Sequence, residues 1–197
     1  MEKKSKKTTQ IYRKHEGTNR LLIEVALDHY EDIFNEWDPA PFKRRDIDPD
    51  LQAFLEECSE EISMRHPLAI AFYLPKAELD YEKQEKCVQG LHNFFTFNKH
   101  LTKKELRFSY HQALRYFLIG LVFLAVAVLF EHQFEKTVLF ELLDQGIFVG
   151  GWVFAWEALT TVAFQNQKIK RRIAEWDRFL DAPVVFKKER KPDQVFD

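Results

Sequence analysis

ALRYFLIGLVFLAVAVLF, residues Ala113–Phe130, runs for eighteen residues with one charge, Arg115, near its start. As a helix it spans about 27 Å, close to the hydrocarbon thickness of a bilayer. A second run, Ile147–Phe164, has the same length and again one charge, Glu157. A core helix of a soluble protein rarely has eighteen apolar residues facing every direction, as these runs do. Two of them with a short connection predict a transmembrane helical hairpin rather than a pair of buried helices in a soluble bundle.

The averages conceal this segregation. Of 197 residues, 30% are charged and 46% hydrophobic, and the net charge is -2. Those values on their own describe an ordinary soluble domain. The start, MEKKSKKTTQIYRKHEG, is basic, but no apolar stretch follows it as in a signal peptide. It is expected to be a solvated, disordered arm. The two cysteines, Cys58 and Cys87, form no C-x-x-C pair and read as reduced thiols filling core space in a cytosolic portion.

Lys and Arg near the spans set orientation. Lys103, Lys104, Arg107 and Arg115 precede or open the first span; Lys168, Lys170, Arg171 and Arg172 follow the second. The connection, 131–146, holds one cation, Lys136, beside Glu131, Glu135, Glu141 and Asp144. Both termini are therefore expected in the cytoplasm and the connection outside. Val138, Leu139, Leu142 and Leu143 lie at helical spacing, so the second helix is expected to extend outward into this connection.

The cytosolic part is split by the hairpin. NRLLIEVAL (Asn19–Leu27) and PLAIAFYLP (Pro67–Pro75) read as strands. Between them DHYEDIFNEW makes a short helix or turn, and the prolines of DPAPF forbid helix. Asp48 caps a helix with Pro49 at its first position. Strand, helix and strand suggest a parallel βαβ unit. A helix from about Leu79 to His100 follows. In LTKKEL, Thr102 and Glu105 fit a capping box and Leu101 and Leu106 a hydrophobic staple, so a new helix is expected from Lys103 into the first span. After the second span, helix continues until Pro183, and Val184–Phe186 supplies a third strand. The fold class is thus an α/β membrane protein, a transmembrane hairpin inserted into a small cytosolic α/β domain of about three strands. Its parts are a basic arm (1–17), the first part of the domain (18–101), a juxtamembrane helix with the first span (102–130), the outside connection (131–146), the second span (147–164), and a helix, strand and tail completing the domain (165–197).

Three stretches carry a resemblance: DPAPFKRRDIDPDLQAFL (Asp38–Leu55), YFLIGLVFLA (Tyr116–Ala125) and GGWVFAWEAL (Gly150–Leu159). Together they resemble a family of small bacterial two-span inner-membrane proteins with a D-P-x-P-F-x-x-R-D motif and a Gly-Trp-Val with a second Trp in the last span. The matching residues are Asp38, Pro39, Pro41, Phe42, Arg45, Asp46 and Asp48, then Gly151, Trp152, Val153 and Trp156. Where the family pattern continues with Arg-Pro, this chain has Glu157-Ala158. The resemblance implies the two-span topology and a bacterial inner membrane, and it implies no activity.

Catalytic signatures are missing. There is no P-loop, G-x-G-x-x-G, G-x-S-x-G or H-E-x-x-H, and the seven histidines complete no metal-ligand spacing. No enzyme, metal, cofactor, nucleic acid or small-molecule substrate is expected. The stretch from Asp38 to Asp48 is the special loop, with Asp38 opening a turn, Phe42 entering the core, Arg45 pairing locally and Asp48 capping a helix. From Glu24 to Glu82 there are sixteen acids against five bases. Asp28, Glu31, Asp32 and Glu36 lie there and are a candidate face for a cationic partner, or simply a solvated acidic face.

Glu157 is the one charge in an otherwise apolar span. Intramembrane carboxylates are functional candidates. Three readings stay open: an ion pair with Arg115, polar contact between copies, or a transport path. Gly120, Gly146, Gly150, Gly151 and Ala155 supply small residues for close helix packing, within the hairpin or between copies. The functional expectation is a non-enzymatic, membrane-anchored interaction, assembly or signalling module acting through its acidic domain. The alternative is a subunit of a transport or pore-forming homo-oligomer that uses Glu157. Its partners would be the bilayer and either another protein or further copies of itself.

Overall fold

The computed structural model describes residues 12–41, 44–133 and 137–188. Strand β1 (Leu21–Ala26) leads through a 3-10 turn at Tyr30–Ile33 to helix α1 (Pro49–Glu61) and strand β2 (Leu68–Leu74). A long helix α2 (Tyr81–Gln133) follows, then α3 (Val138–Thr160), a π-helical turn (Thr161–Gln165), α4 (Asn166–Leu180) and strand β3 (Val184–Lys188). The described residues fall into two compact units, one within Met1–Lys99 and Ala174–Asp197, the other His100–Ile173.

The first unit holds a three-stranded sheet in the order β1-β2-β3, with both pairings parallel. The expected third strand therefore joins the sheet begun upstream. Leu68–Leu74 reads LAIAFYL because the central strand of a parallel sheet is covered on both faces. One face packs Ile23, Ile70 and Phe72 against Leu51 and Leu55 of α1, Leu91 and Phe95 of α2, and Trp176 and Phe179 of α4. Phe186 of β3 sits 5.5 Å from both Tyr30 and Phe72, ring centre to ring centre. Phe95 stacks on Phe179 at 5.1 Å. The other face is a smaller cluster, Leu22, Ala69 and Ala71.

The start of α1 follows its local chemistry. Asp48 Oδ1 accepts from the backbone N–H groups of Asp50 (2.9 Å) and Leu51 (3.2 Å), and Pro49 takes the first helical position. Its end is held by a residue from far along the chain. The Arg178 guanidinium donates to the carbonyls of Ser59 (3.0 Å), Ile62 (3.1 Å), Ser63 (3.1 Å) and His66 (2.8 Å). These are the orphan carbonyls of a helix C-terminus and the turn after it. Burial holds the Arg178 pKa below the usual arginine range.

Two expectations are corrected here. α2 does not restart at Lys103; it runs unbroken through LTKKEL, with Thr102 buried inside it. A capping box acts only where the backbone leaves the helix, and no proline or glycine between Leu91 and Ile119 makes it do so. The basic arm also ends earlier than expected. Residues 12–17 fold back on the sheet edge: Lys14 bridges antiparallel to Leu21, and Gly17 makes the turn at φ 74°. Tyr12 anchors them, its hydroxyl donating to Glu61 Oε2 at 2.7 Å. The rest of the arm, 1–11, lies outside the described residues.

Candidate functional site

In the second unit α2 and α3 form an antiparallel hairpin around a seam of small residues. A Cβ built on Gly120 would lie 2.9 Å from the Gly151 carbonyl oxygen and 3.1 Å from the Ala155 nitrogen. One built on Gly151 would lie 2.7 Å from Leu124 Cγ, and one on Gly150 3.2 Å from Phe123 Cδ1. Ala113, Gly120 and Ala127, seven residues apart, line the α2 side, and Gly151 and Ala158 the α3 side. Such spacing lets helix backbones touch. Phe154 wedges beside the crossing, 6.2 Å from Tyr116 and 5.6 Å from Phe123. The small residues Gly120, Gly150, Gly151 and Ala155 are therefore spent within one chain. A Cβ on Gly146 would meet nothing within 4 Å.

The expected Glu157–Arg115 pair is not made. Both residues are exposed, and among the described residues no ion pair or hydrogen bond joins them. The Arg115 guanidinium lies 5.8 Å over the Phe108 ring instead. Helix geometry gives the reason. Successive residues turn by about 100°, so Arg115, two beyond the seam residue Ala113, points about 200° away from it. Glu157, one before Ala158, points about 100° off its own seam. Depth is not the obstacle. With Gly120 against Gly151 and Ala155, Arg115 lies opposite position 158, so the two charges differ by about one residue, or ~1.5 Å, along the hairpin axis. The lengths of the two apolar runs alone would set Glu157 level with Gly120.

The π-helical turn adds one residue to the second helix and rotates the helix beyond it. As a result Asn166, not Gln165, enters the interior after Thr161 and Ala158. Asn166 is 0% exposed, and neither its Oδ1 nor its Nδ2 has a hydrogen-bond partner. Lys103, Lys104, Arg107, Lys168, Lys170, Arg171 and Arg172 are exposed in the same unit, and Lys170 lies 5.6 Å over the Tyr110 ring.

In the first unit the special loop is organised around Asp38. Its Oδ1 accepts from the Ala40 N–H and its Oδ2 from the Asp46 N–H, both at 2.9 Å, and these bonds hold the carboxyl below the usual carboxylate range. Arg45 Nε donates to the Ala40 carbonyl at 3.2 Å. The Pro41 carbonyl accepts from the N–H groups of Arg44 (2.8 Å) and Arg45 (3.2 Å), which closes the turn; Phe42 lies outside the described residues. Arg45 and Asp46 then line a cleft of about 450 Å³ with Arg44, Gly90, Asn93, Phe94 and Phe97.

The expected partner face divides. Asp32 is turned to its own backbone, its Oδ2 accepting from the N–H groups of Asp28 (3.0 Å) and His29 (2.8 Å). Glu31 lies 3.8 Å from Lys83. Asp28 and Glu36 are exposed. A second acidic surface is not evident from the sequence. Glu24 of β1 and Glu57 and Glu61 of α1 meet around a recess of about 330 Å³ that also takes in Tyr12, Leu22, Phe54 and Cys58. Only the pairing of strand and helix brings these distant carboxylates together. Among the described residues no three His, Cys, Asp or Glu side chains converge as metal ligands would.

Comparison with known proteins leaves the site to be read from this geometry alone: no family model matches the chain, and no curated protein or solved structure does either.

Proposed function

We propose that this is a two-span membrane protein of the bacterial inner membrane, with both termini in the cytoplasm, serving as a membrane-anchored interaction or assembly module. The observation that carries the reading is the exposure of the hairpin. Its two helices are long and apolar enough to cross a membrane, yet only 17% of each apolar stretch is buried within the chain. Leu118, Val122, Trp152 and Trp156 are among the side chains left uncovered. Lipid is the solvent that suits such a surface. The exposed cations at the base of both helices support the cytoplasmic placement of the termini. The acidic recess with its half-exposed Phe54 suits a cationic partner segment. We assign the module no catalysis.

A carbonate wash of cell membranes tests the anchoring, with the chain expected in the pellet and its release into the supernatant overturning the reading. Purification in mild detergent with mass determination tests the role. A stoichiometric partner lost on Glu57→Lys/Glu61→Lys is the expected result, and retention of every partner by that variant overturns it. A second reading, a homo-oligomer with Glu157 at its contact, is favoured by the exposed, unpaired Glu157 carboxylate.

A further inference from the structure

We infer that the hairpin binds a second copy of itself through Arg115 of one copy and Glu157 of the next. The inference rests on the membrane reading above and deepens its second form. Three observations support it. Each side chain is exposed on an apolar helix, and among the described residues neither has an ion-pair partner. Phe108 beside Arg115 offers a ring face but no carboxylate. The hydrocarbon of the bilayer offers no partner to either charge, so each is costly wherever it stays out of reach of the interface. The charges are opposite, which makes each a partner for the other and for no apolar side chain nearby.

Depth selects a second copy of this chain. Copies that share one membrane orientation are related by an axis along the membrane normal, so contacting residues must lie at equal depth. The crossing of Gly120 over Gly151 and Ala155 places Arg115 opposite position 158, within ~1.5 Å of Glu157 in depth. The two residues leave the seam in different directions, which forbids the pair within one hairpin and offers it between neighbours. The seam itself is already filled by its own glycines, alanines and Phe154, leaving only the outer faces for a neighbour. Repeating the contact about such an axis pairs an arginine of each copy with a carboxylate of the next.

Charge exchange in the full chain tests this, with mass measured in mild detergent or lipid nanodiscs. The unaltered chain should be a homo-oligomer. Glu157→Arg alone and Arg115→Glu alone should each weaken self-association by about tenfold or more, the scale of one charge pair in a dry interface. The double exchange, Arg115→Glu/Glu157→Arg, should restore it. Restoration cannot come from a variant that fails to fold, and Glu157→Gln, which introduces no new charge, should weaken association with helix content unchanged. A monomeric unaltered chain, single variants that associate normally, a double variant that stays apart, or a foreign protein in place of the second copy would each overturn the pair. Carbonate-washed membranes from the same cells keep the two questions separate: a pelleted chain whose variants all associate alike sinks this pair and leaves the anchoring intact.

Discussion

Gly120 and Gly151 cross so closely that each carbonyl oxygen would lie only 2.9 and 3.1 Å from a Cβ on the other residue. A methyl group at either position meets backbone or a packed Leu124, and backbone cannot rotate aside. Gly120→Ala or Gly151→Ala should therefore force the helices apart and cost about 1–3 kcal/mol, as overpacking does. Gly146→Ala enters open space inside a helix and should leave the stability unchanged or raise it by up to about 1 kcal/mol. Thermal unfolding in detergent, followed by helix content, separates the cases; equal midpoints for all three variants would remove the crossing as a packing constraint.

Arg178→Met keeps the length of the side chain and removes its donors. Four backbone carbonyls at the end of α1 and in the following turn would lose their partner. A loss of about 3 kcal/mol is expected, the upper range for bonds made by a charged group. Arg178→Lys should recover only part of this, because one ammonium cannot span the fork. Denaturant unfolding monitored at Trp176, two residues away and buried in the core, gives the measurement.

Asp48→Ala removes the cap of α1 and should cost about 1 kcal/mol, while Asp48→Asn should cost a few tenths. Hydrogen exchange of the Asp50 and Leu51 amides reads the effect locally, and unchanged protection in the alanine variant would contradict the cap.

Cys87 is 0% exposed, and burial, with Glu31 adding to it, pushes its thiol from 9.0 to about 12. The fold holds the neutral thiol. Its contribution is therefore complete below pH 9, the value of the unfolded thiol, and is lost as pH rises through about 12. Cys87→Ala should flatten the alkaline decline in stability across that window. At pH 8 the native thiol should resist iodoacetamide and react only after unfolding, which mass spectrometry detects.

Asn166 keeps a buried amide without partners, at a cost on the order of 1–3 kcal/mol. Asn166→Leu is of similar size and carries no polar atoms. It should leave the hairpin as stable or make it more so, and a large drop in the unfolding midpoint would mean that the amide is satisfied in solution.

Much of this architecture is legible from short-range signals. Pro67 and Pro75 bracket β2, the Asp48–Pro49 pair marks the start of α1, and the apolar runs mark the hairpin. The hidden part depends on distant contacts. Arg178 reads as one more cation in a charged helix until α1 is folded against it. Glu24, Glu57 and Glu61 become one surface only when β1 and α1 meet. Thr102 and Glu105 mislead because their spacing satisfies a cap whether or not the helix breaks. Arg115 and Glu157 match by reach along the axis, whereas rotation about it keeps them apart.

β3 carries Phe186 onto Tyr30 and Phe72, and it lies in the chain after both apolar helices. A ribosome therefore delivers the sheet's last strand only after the whole hairpin has been made. Until then β2 has an unpaired edge and the Tyr30–Phe72 surface is open to solvent. Sealing the sheet therefore waits on synthesis of the whole hairpin, and a chain stalled before Pro183 would present that raw edge to chaperones and proteases.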